Sequence, residues 1–438
     1  MKQPINGFSK LPKEEKINWL ATHYFTNKEE GITILKSYWN SDKKLQQLHD
    51  EFIENTITNF YLPQGIAPNF LINGSLLSIP MAIEESSVVA AASNAAKFWL
   101  TRGGFHAEVR STIKIGQVHF IFNGSKSVLS SFFNEKKAIF LKESEPITRN
   151  MQKRGGGILD IELIDKTDQM SGYYQLHCSF ETLDAMGANF INSCLEQFAK
   201  TLKKEALSYP LFNDKEKNIE VIMSILSNYV PECLVKVWVE CPVEKLFNDS
   251  EKSLDFARRF VTAVNIAKIE PYRAVTHNKG IMNGIDAVVI ATGNDFRAIE
   301  AGVHAYASKN GRYKSLSHAE ITNGIFKFSM ELPLALGTVG GLTKLHPLVQ
   351  LNLDMLGNPG AKQLMKIVAV AGLAQNFAAL RSLTTSGIQE GHMKMHLGNI
   401  LNQLEATSEE RKQVETHFSS NTITHSAVTD FINQLRNN

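Results

Sequence analysis

The segment between residues 112 and 226 constrains the fold most, because it spells out a complete small unit inside a longer chain. Q-V-H-F-I-F reads as a strand and K-S-V-L-S-S-F-F-N-E-K-K-A-I-F as a helix. G-I-L-D-I-E-L-I-D and Y-Y-Q-L-H-C-S-F-E read as two strands joined across Lys166–Gly172. A helix, A-N-F-I-N-S-C-L-E-Q-F-A-K-T-L, and a last strand, I-E-V-I-M-S-I-L, complete the order βαββαβ of a ferredoxin-like unit. The chain on either side reads as one other domain, so the unit is an insertion. The expected organisation is a large α/β domain from residues 1–111 and 227–386, a small inserted domain at 112–226, and a helical appendage at 387–438.

The 438 residues give ample material for a large core. A formal net charge of +2 gives no reason to expect nucleic acid or an acidic membrane as partner. The N-terminal M-K-Q-P-I-N-G-F-S-K-L-P lacks an apolar core of signal-peptide length. Apolar stretches elsewhere are broken before the roughly 18 residues that span a bilayer. A cytoplasmic protein without a membrane anchor is expected. Cys178, Cys194, Cys233 and Cys241 form no C-x-x-C pair, which suits reduced, buried thiols.

Candidate chemistry concentrates between Arg273 and Arg297. This stretch carries Arg273, Lys279, Asn283 and Asp295. The run I-D-A-V-V-I-A, bounded by Gly284 and Gly293, reads as a buried strand, with Asp295 just past its end. Ends of buried strands hold ligands in open α/β sheets. By itself a Lys–Asp pair there is more often a surface ion pair. Upstream, L-L-S-I-P-M-A-I-E-E-S-S-V-V-A-A-A-S reads as a strand ending near Met81 and a helix starting near Ser86 or Ser87, either of which could cap it. Glu84 and Glu85 sit at that junction. A helix dipole keeps a carboxylate ionised there, so a catalytic acid would need burial or a neighbouring anion.

In the 13–60 region, Leu45, Leu48, Phe52 and Ile53 fall on one face of a charged helix. D-A-M-G-A-N, Asp184 to Asn189, lies between a strand and a helix, where backbone amides can approach a phosphate. A tight turn with an Asn cap explains it equally well. No G-x-G-x-x-G occurs, so a Rossmann domain is not supported. Leu336 to Thr343 is a glycine-rich loop, and the long apolar helix after it reads as a core helix. Gly387 and Gly391 could act as hinges for the tail. His392 and His396 have helical metal spacing, yet lack a neighbouring Glu and an evident third ligand, so no metal is expected.

Four strings occur together in order: P-M-A-I-E-E-S-S-V-V-A-A-A-S; D-A-M-G-A-N; P-Y-R-A-V-T-H-N-K-G-I-M-N-G-I with T-G-N-D-F-R-A-I-E-A-G; and G-H-M-K-M-H. In this the chain resembles the class II, bacterial 3-hydroxy-3-methylglutaryl-CoA (HMG-CoA) reductases over nearly its whole length. The resemblance implies a large substrate-binding domain, an inserted ferredoxin-like nucleotide-binding domain and a C-terminal helical flap. It implies catalytic roles for Glu85, Lys279, Asp295 and His392, and substrate-binding roles for Ser87, Arg273 and Asn283. It places Asp184, Met186, Gly187, Asn189 and Asn228 in the cofactor site. HMG-CoA, mevalonate and CoA are the implied ligands, and a homodimer or larger assembly with active sites shared between subunits is the implied state.

Two departures stand out. Ser86 replaces a proline common after the glutamate pair. Ile147 and Thr148 occupy the region where an acid favouring NADH is expected, with Arg149, Lys153 and Arg154 close by, so NADPH is expected over NADH. Asp295 is expected to hold Lys279 and to raise the pKa of Glu85 by like-charge repulsion. Two other readings remain open at this point: a CoA-thioester enzyme without redox chemistry, and a non-catalytic CoA-ester-binding protein on the same fold.

Overall fold

The computed structural model describes residues 4–385, 397–398, 400–418, 421 and 423–437. The chain divides into two compact units, Met1–Pro63 and Gln64–Asn438. The first holds α1 (Lys13–Tyr24), α2 (Lys28–Ser37) and α3 (Lys43–Asp50), the last capped by Asp42, which accepts from the amides of Lys44 and Leu45. Since α3 ends at Asp50, Phe52 and Ile53 lie beyond the expected helical face, and Ile53 is 67% exposed.

The second unit begins with an antiparallel hairpin, β1 (Gln64–Ile72) and β2 (Ser75–Ala82), followed by α4 (Val88–Leu100) and β3 (His106–Val109). Next come β4 (Lys114–Ile121), α5 (Lys126–Glu143), α6 (Glu145–Gln152), β5 (Gly157–Asp165), β6 (Tyr173–Glu181), α7 (Ala188–Leu207) and β7 (Glu220–Leu226). Their strands form an antiparallel sheet in the order β5-β6-β4-β7, which is the ferredoxin-like arrangement. The alternation that made these strands legible is the one that buries them. Val118 and Phe120 of β4 and Leu176, Cys178 and Phe180 of β6 join residues of α5 and α7 in one apolar core.

The chain then returns through β8 (Leu234–Pro242), α8 (Ser250–Ile269), α9 (Pro271–Ala291), α10 (Phe296–Ala307), β9 (Ser317–Thr322) and β10 (Ile325–Pro333). After them come α11 (Leu342–Leu345), α12 (Pro347–Met355) and α13 (Ala361–Thr384). A second antiparallel sheet, β3-β8-β10-β9, shares the larger apolar core with α4, α8, α9 and α13. Helices Ser408–His417 and His425–Asn437 contribute Val414, Val428 and Ile432 to a third, separate cluster. The protein is thus a mixed α/β fold with a ferredoxin-like insertion and a C-terminal helical segment. All four cysteines are free and buried.

The expected strand at I-D-A-V-V-I-A is the C-terminal third of α9. Pro271 stands in its first turn and the Glu270 side chain accepts from the Arg273 amide, so the helix is nucleated well upstream of the run. A short apolar run does not distinguish a strand from a helix buried on several sides. Gly284 is no boundary: a Cβ there would lie 2.4 Å from the Ala371 carbonyl oxygen, and its absence lets α9 pack tightly against α13. By length and composition alone helix α13 could cross a membrane, but 78% of its most apolar window is buried inside the fold, in keeping with the expected core helix.

Candidate functional site

Helix α9 presents Lys279 and Asn283 one turn apart on the same face. Both reach Glu85, in the turn between β2 and α4: Lys279 Nζ is 2.6 Å from Glu85 Oε2, and Asn283 Nδ2 donates to the same oxygen at 3.3 Å. The pair is open, with Lys279 58% and Glu85 41% exposed at the side chain. Ser87 follows with φ 75°, a conformation unusual for a non-glycine residue, and it makes no side-chain capping bond to α4. The expected serine cap is therefore absent. Such strain collects at functional sites.

Glu85, Ser87 and Asn283 line a cavity of about 640 Å³ among α4, α9 and α13. The sequence singled out none of the residues that close its far side, Asn94, Gln375 and Arg381. They lie inside helical patterns that look like core, and only a polar residue amid apolar neighbours marked them. Oε1 of Gln375 is buried with no hydrogen-bond partner among the described residues, so it can accept from a bound molecule. Arg273, two turns before Lys279, is half-buried, and burial lowers its pKa. Its guanidinium has no ion-pair or hydrogen-bond partner among the described residues, which suits a cation awaiting an anionic ligand.

Asp295 does not hold Lys279 within this chain. It caps α10 by accepting from the amides of Arg297 and Ala298, and it pairs with the Arg297 side chain at 3.1 Å. Burial works to raise its pKa, but the Arg297 hydrogen bond and the α10 amides outweigh it and hold the carboxyl below the usual range. Twelve residues of α9 separate Lys279 from the helix end at Ala291, roughly 18 Å of rise. Asp295 instead lines a second cavity, of about 310 Å³, together with Met186, Asn228 and Lys114. Three motifs meet there. The Asn294 side chain accepts from the Gly337 amide, joining G-N-D to the glycine-rich loop. Gly337 in turn lies against Met186 of D-A-M-G-A-N. Gly187, at φ 88°, forms the N-terminal boundary of α7 and opens that helix end to an anion. Asn189 is exposed in the first turn of α7. Asp184, of the same motif, bonds the Ala361 amide at the start of α13. His392 and His396, and the hinge glycines Gly387 and Gly391, lie outside the described residues.

Between these cavities, α9 and α10 share an acidic contact. Burial and the neighbouring Glu300 raise the pKa of Asp286, while a contact with His304, 2.7 Å away, holds Glu300 low. A carboxyl that keeps its proton when folded but loses it near its ordinary pKa when unfolded costs stability as pH rises through that interval. Asp286→Asn keeps a donor toward Glu300 and removes this slope. Its stability gain over wild type should grow between about pH 5 and pH 8, by at most about 1.4 kcal/mol per pH unit. Thermal denaturation of both proteins at several pH values measures it, and parallel curves would contradict the shared-proton contact.

The hydroxymethylglutaryl-coenzyme A reductase family model matches residues 14–397. The chain is 38% identical over 418 residues to the 3-hydroxy-3-methylglutaryl-coenzyme A reductase of Archaeoglobus fulgidus, covering 94% of this chain and 90% of the relative. A probable reductase of the same name from Borreliella burgdorferi is 36% identical over 360 residues, covering 81% of this chain and 80% of its own length. Among solved structures, the class II reductase of Streptococcus pneumoniae bound to NADPH in open conformations aligns with TM-score 0.72 at 36% identity, covering 87% of this chain and all of that one. Another structure of the Streptococcus pneumoniae reductase covers 99% of this chain and all of its own, with TM-score 0.73 at 34% identity.

Proposed function

The chain belongs to the hydroxymethylglutaryl-coenzyme A reductase family, and on that premise we propose how its residues divide the work. The protein is an NAD(P)-dependent oxidoreductase that interconverts HMG-CoA and mevalonate plus CoA. The observation that carries the chemical reading is the convergence of Lys279 and Asn283 on Glu85. A non-redox thioester enzyme would need no cavity bounded by Met186, Asn228 and the open end of α7. A mere binding protein would need no ammonium–carboxylate pair at the other cavity.

Each reduction step places negative charge on the carbonyl oxygen of the substrate. Lys279 stabilises that charge, and Glu85, when protonated, donates to the oxygen. Arg273 takes the free carboxylate of the substrate, and Ser87 and Asn283 orient the hydroxymethylglutaryl group. His392 protonates the departing CoA thiolate. The reduced nicotinamide supplies hydride in both steps. Its site is the cavity beside Met186, with Gly187, Asn189 and Asn228 around it, and the residues there fit an anionic dinucleotide. The same groups serve either direction of the reaction.

One chain holds two half-sites. Glu85, Lys279 and Asn283 attend one cavity; Asp295 and the cofactor motifs attend the other. Hydride transfer needs the nicotinamide within contact distance of the carbonyl. We therefore assign the working enzyme as a homodimer in which Asp295 and the cofactor of one protomer complete the Glu85–Lys279 cluster of its partner. We place it in the cytoplasm, with no metal requirement.

For cofactor choice, NADPH is the proposed partner of Arg149, Lys153 and Arg154. Steady-state kinetics should show two reduced nicotinamides consumed per CoA thiol released, with kcat/KM for NADPH above that for NADH. Replacing all three basic residues with Gln should erase that preference, by about tenfold or more at low salt. A preference unmoved by the triple change would place the 2′-phosphate elsewhere.

A further inference from the structure

The long helix α13 starts at Gly360, a residue with no side chain to cap it. The acceptor comes from 177 residues upstream: Asp184 Oδ1 takes the Ala361 amide at 2.7 Å. Gly360 makes room for it, since a Cβ there would stand 2.7 Å from that oxygen. The backbone of the same loop is tied down as well. The Asp184 carbonyl accepts from the Thr338 amide at 2.8 Å, and Ala185 bridges Val339.

The same loop is also held by Lys114, a lysine only 4% exposed. Its ammonium donates to the Ala185 carbonyl at 2.9 Å and to the Thr182 hydroxyl. A buried ammonium is costly unless paired. The carboxylates of Glu181, at the end of β6, and of Asp184, on the loop that it holds, favour its charged form. Met186, the next residue of that loop, lines the cavity assigned to the cofactor, as does Lys114 itself.

We propose that Asp184 is a positioning residue: it docks the 182–187 loop onto the N-terminus of α13, with Lys114 closing the clamp, so that the loop is preset for the dinucleotide. This rests on the cofactor reading of that cavity. Asp184 acts on the cofactor through Met186 and Gly187, and α13, buried along most of its length, is the fixed anchor. Presetting a loop lowers the ordering cost of binding.

Gly360→Ser separates the clamp from simple helix capping. A serine at Gly360 gives α13 its own capping oxygen, at backbone angles that suit one, while its Cβ displaces Asp184. NADPH and HMG-CoA titrations and melting temperatures would be measured for Asp184→Ala, Asp184→Asn and Gly360→Ser. The clamp predicts that Asp184→Ala and Gly360→Ser each weaken NADPH by about tenfold. HMG-CoA binding should hold, Gly360→Ser should melt near the wild-type temperature, and Asp184→Asn, still an acceptor, should recover most of the loss. If Asp184→Asn is as damaging as Asp184→Ala while Gly360→Ser is silent, the carboxylate touches the cofactor directly and the clamp is overturned. Unchanged NADPH affinity in Asp184→Ala overturns it too. Ala298→Trp, which fills the same cavity from α10, tests the underlying reading separately: if it leaves NADPH affinity intact, the cavity assignment fails, whatever the clamp variants do.

Discussion

Lys279→Ala is expected to lower kcat by about a thousandfold or more for the thioester and for the intermediate aldehyde alike, because a positioned cation at a developing oxyanion is among the largest single contributions to catalysis. Both reduction steps build charge on the same oxygen, so neither should escape. Substrate KM should change little, since Arg273 and the residues around Gln375 hold the parts of the ligand that do not react. The variant should fold normally, since Lys279 is exposed and its partner Glu85 is a half-open carboxylate. Turnover with HMG-CoA and, separately, with the aldehyde would be followed by oxidation of the reduced nicotinamide. If the aldehyde were still reduced at the wild-type rate, Lys279 would serve only thioester cleavage and the shared oxyanion role would be wrong.

Asp295→Ala should be nearly as damaging, with a loss of about a hundredfold or more in kcat, although in a single chain Asp295 lies at a different cavity from Lys279. Its local partner is Arg297, and its amide bonds cap α10. Losing the cap should also cost about 1 kcal/mol of stability. Asp295→Asn keeps the cap acceptor, so it should restore the melting temperature without restoring turnover. That split distinguishes a carboxylate needed for chemistry from one needed for α10.

Period-2 alternation made the ferredoxin-like insertion readable, because β6 throughout and β4 from Gly116 onward bury every second residue against one layer of helices. Helix α9 defeated the same logic. Its last third is buried on several sides, so Ala287, Val288 and Val289 carry no helical stripe, and the β-branching of Val288, Val289 and Ile290 suggests a strand. The residue types of the site were legible in the motifs. Their grouping was not: Lys279 and Asp295 are neighbours in sequence but are held apart by the helical rise of α9, while Lys279 meets a glutamate 194 residues upstream. The link from Asp184 to α13 was equally hidden, since a glycine at a helix start gives no sign of the distant acceptor that it admits. Asn94, Gln375 and Arg381 had no motif, and only the packing of α4 against α13 brings them to one cavity.

The central claim is that each active site joins Glu85 and Lys279 of one protomer to Asp295 of its partner, and mixing two inactive variants tests it most directly. Lys279→Ala and Asp295→Ala proteins would be unfolded and refolded together, and HMG-CoA-dependent oxidation of NADPH then measured. Random pairing makes half of the dimers mixed, and each mixed dimer carries one wholly wild-type site, so recovery to about a quarter of wild-type activity is predicted for a two-fold dimer. Activity no higher than that of either variant alone would show that Lys279 and Asp295 act within the same chain, and would contradict the shared site.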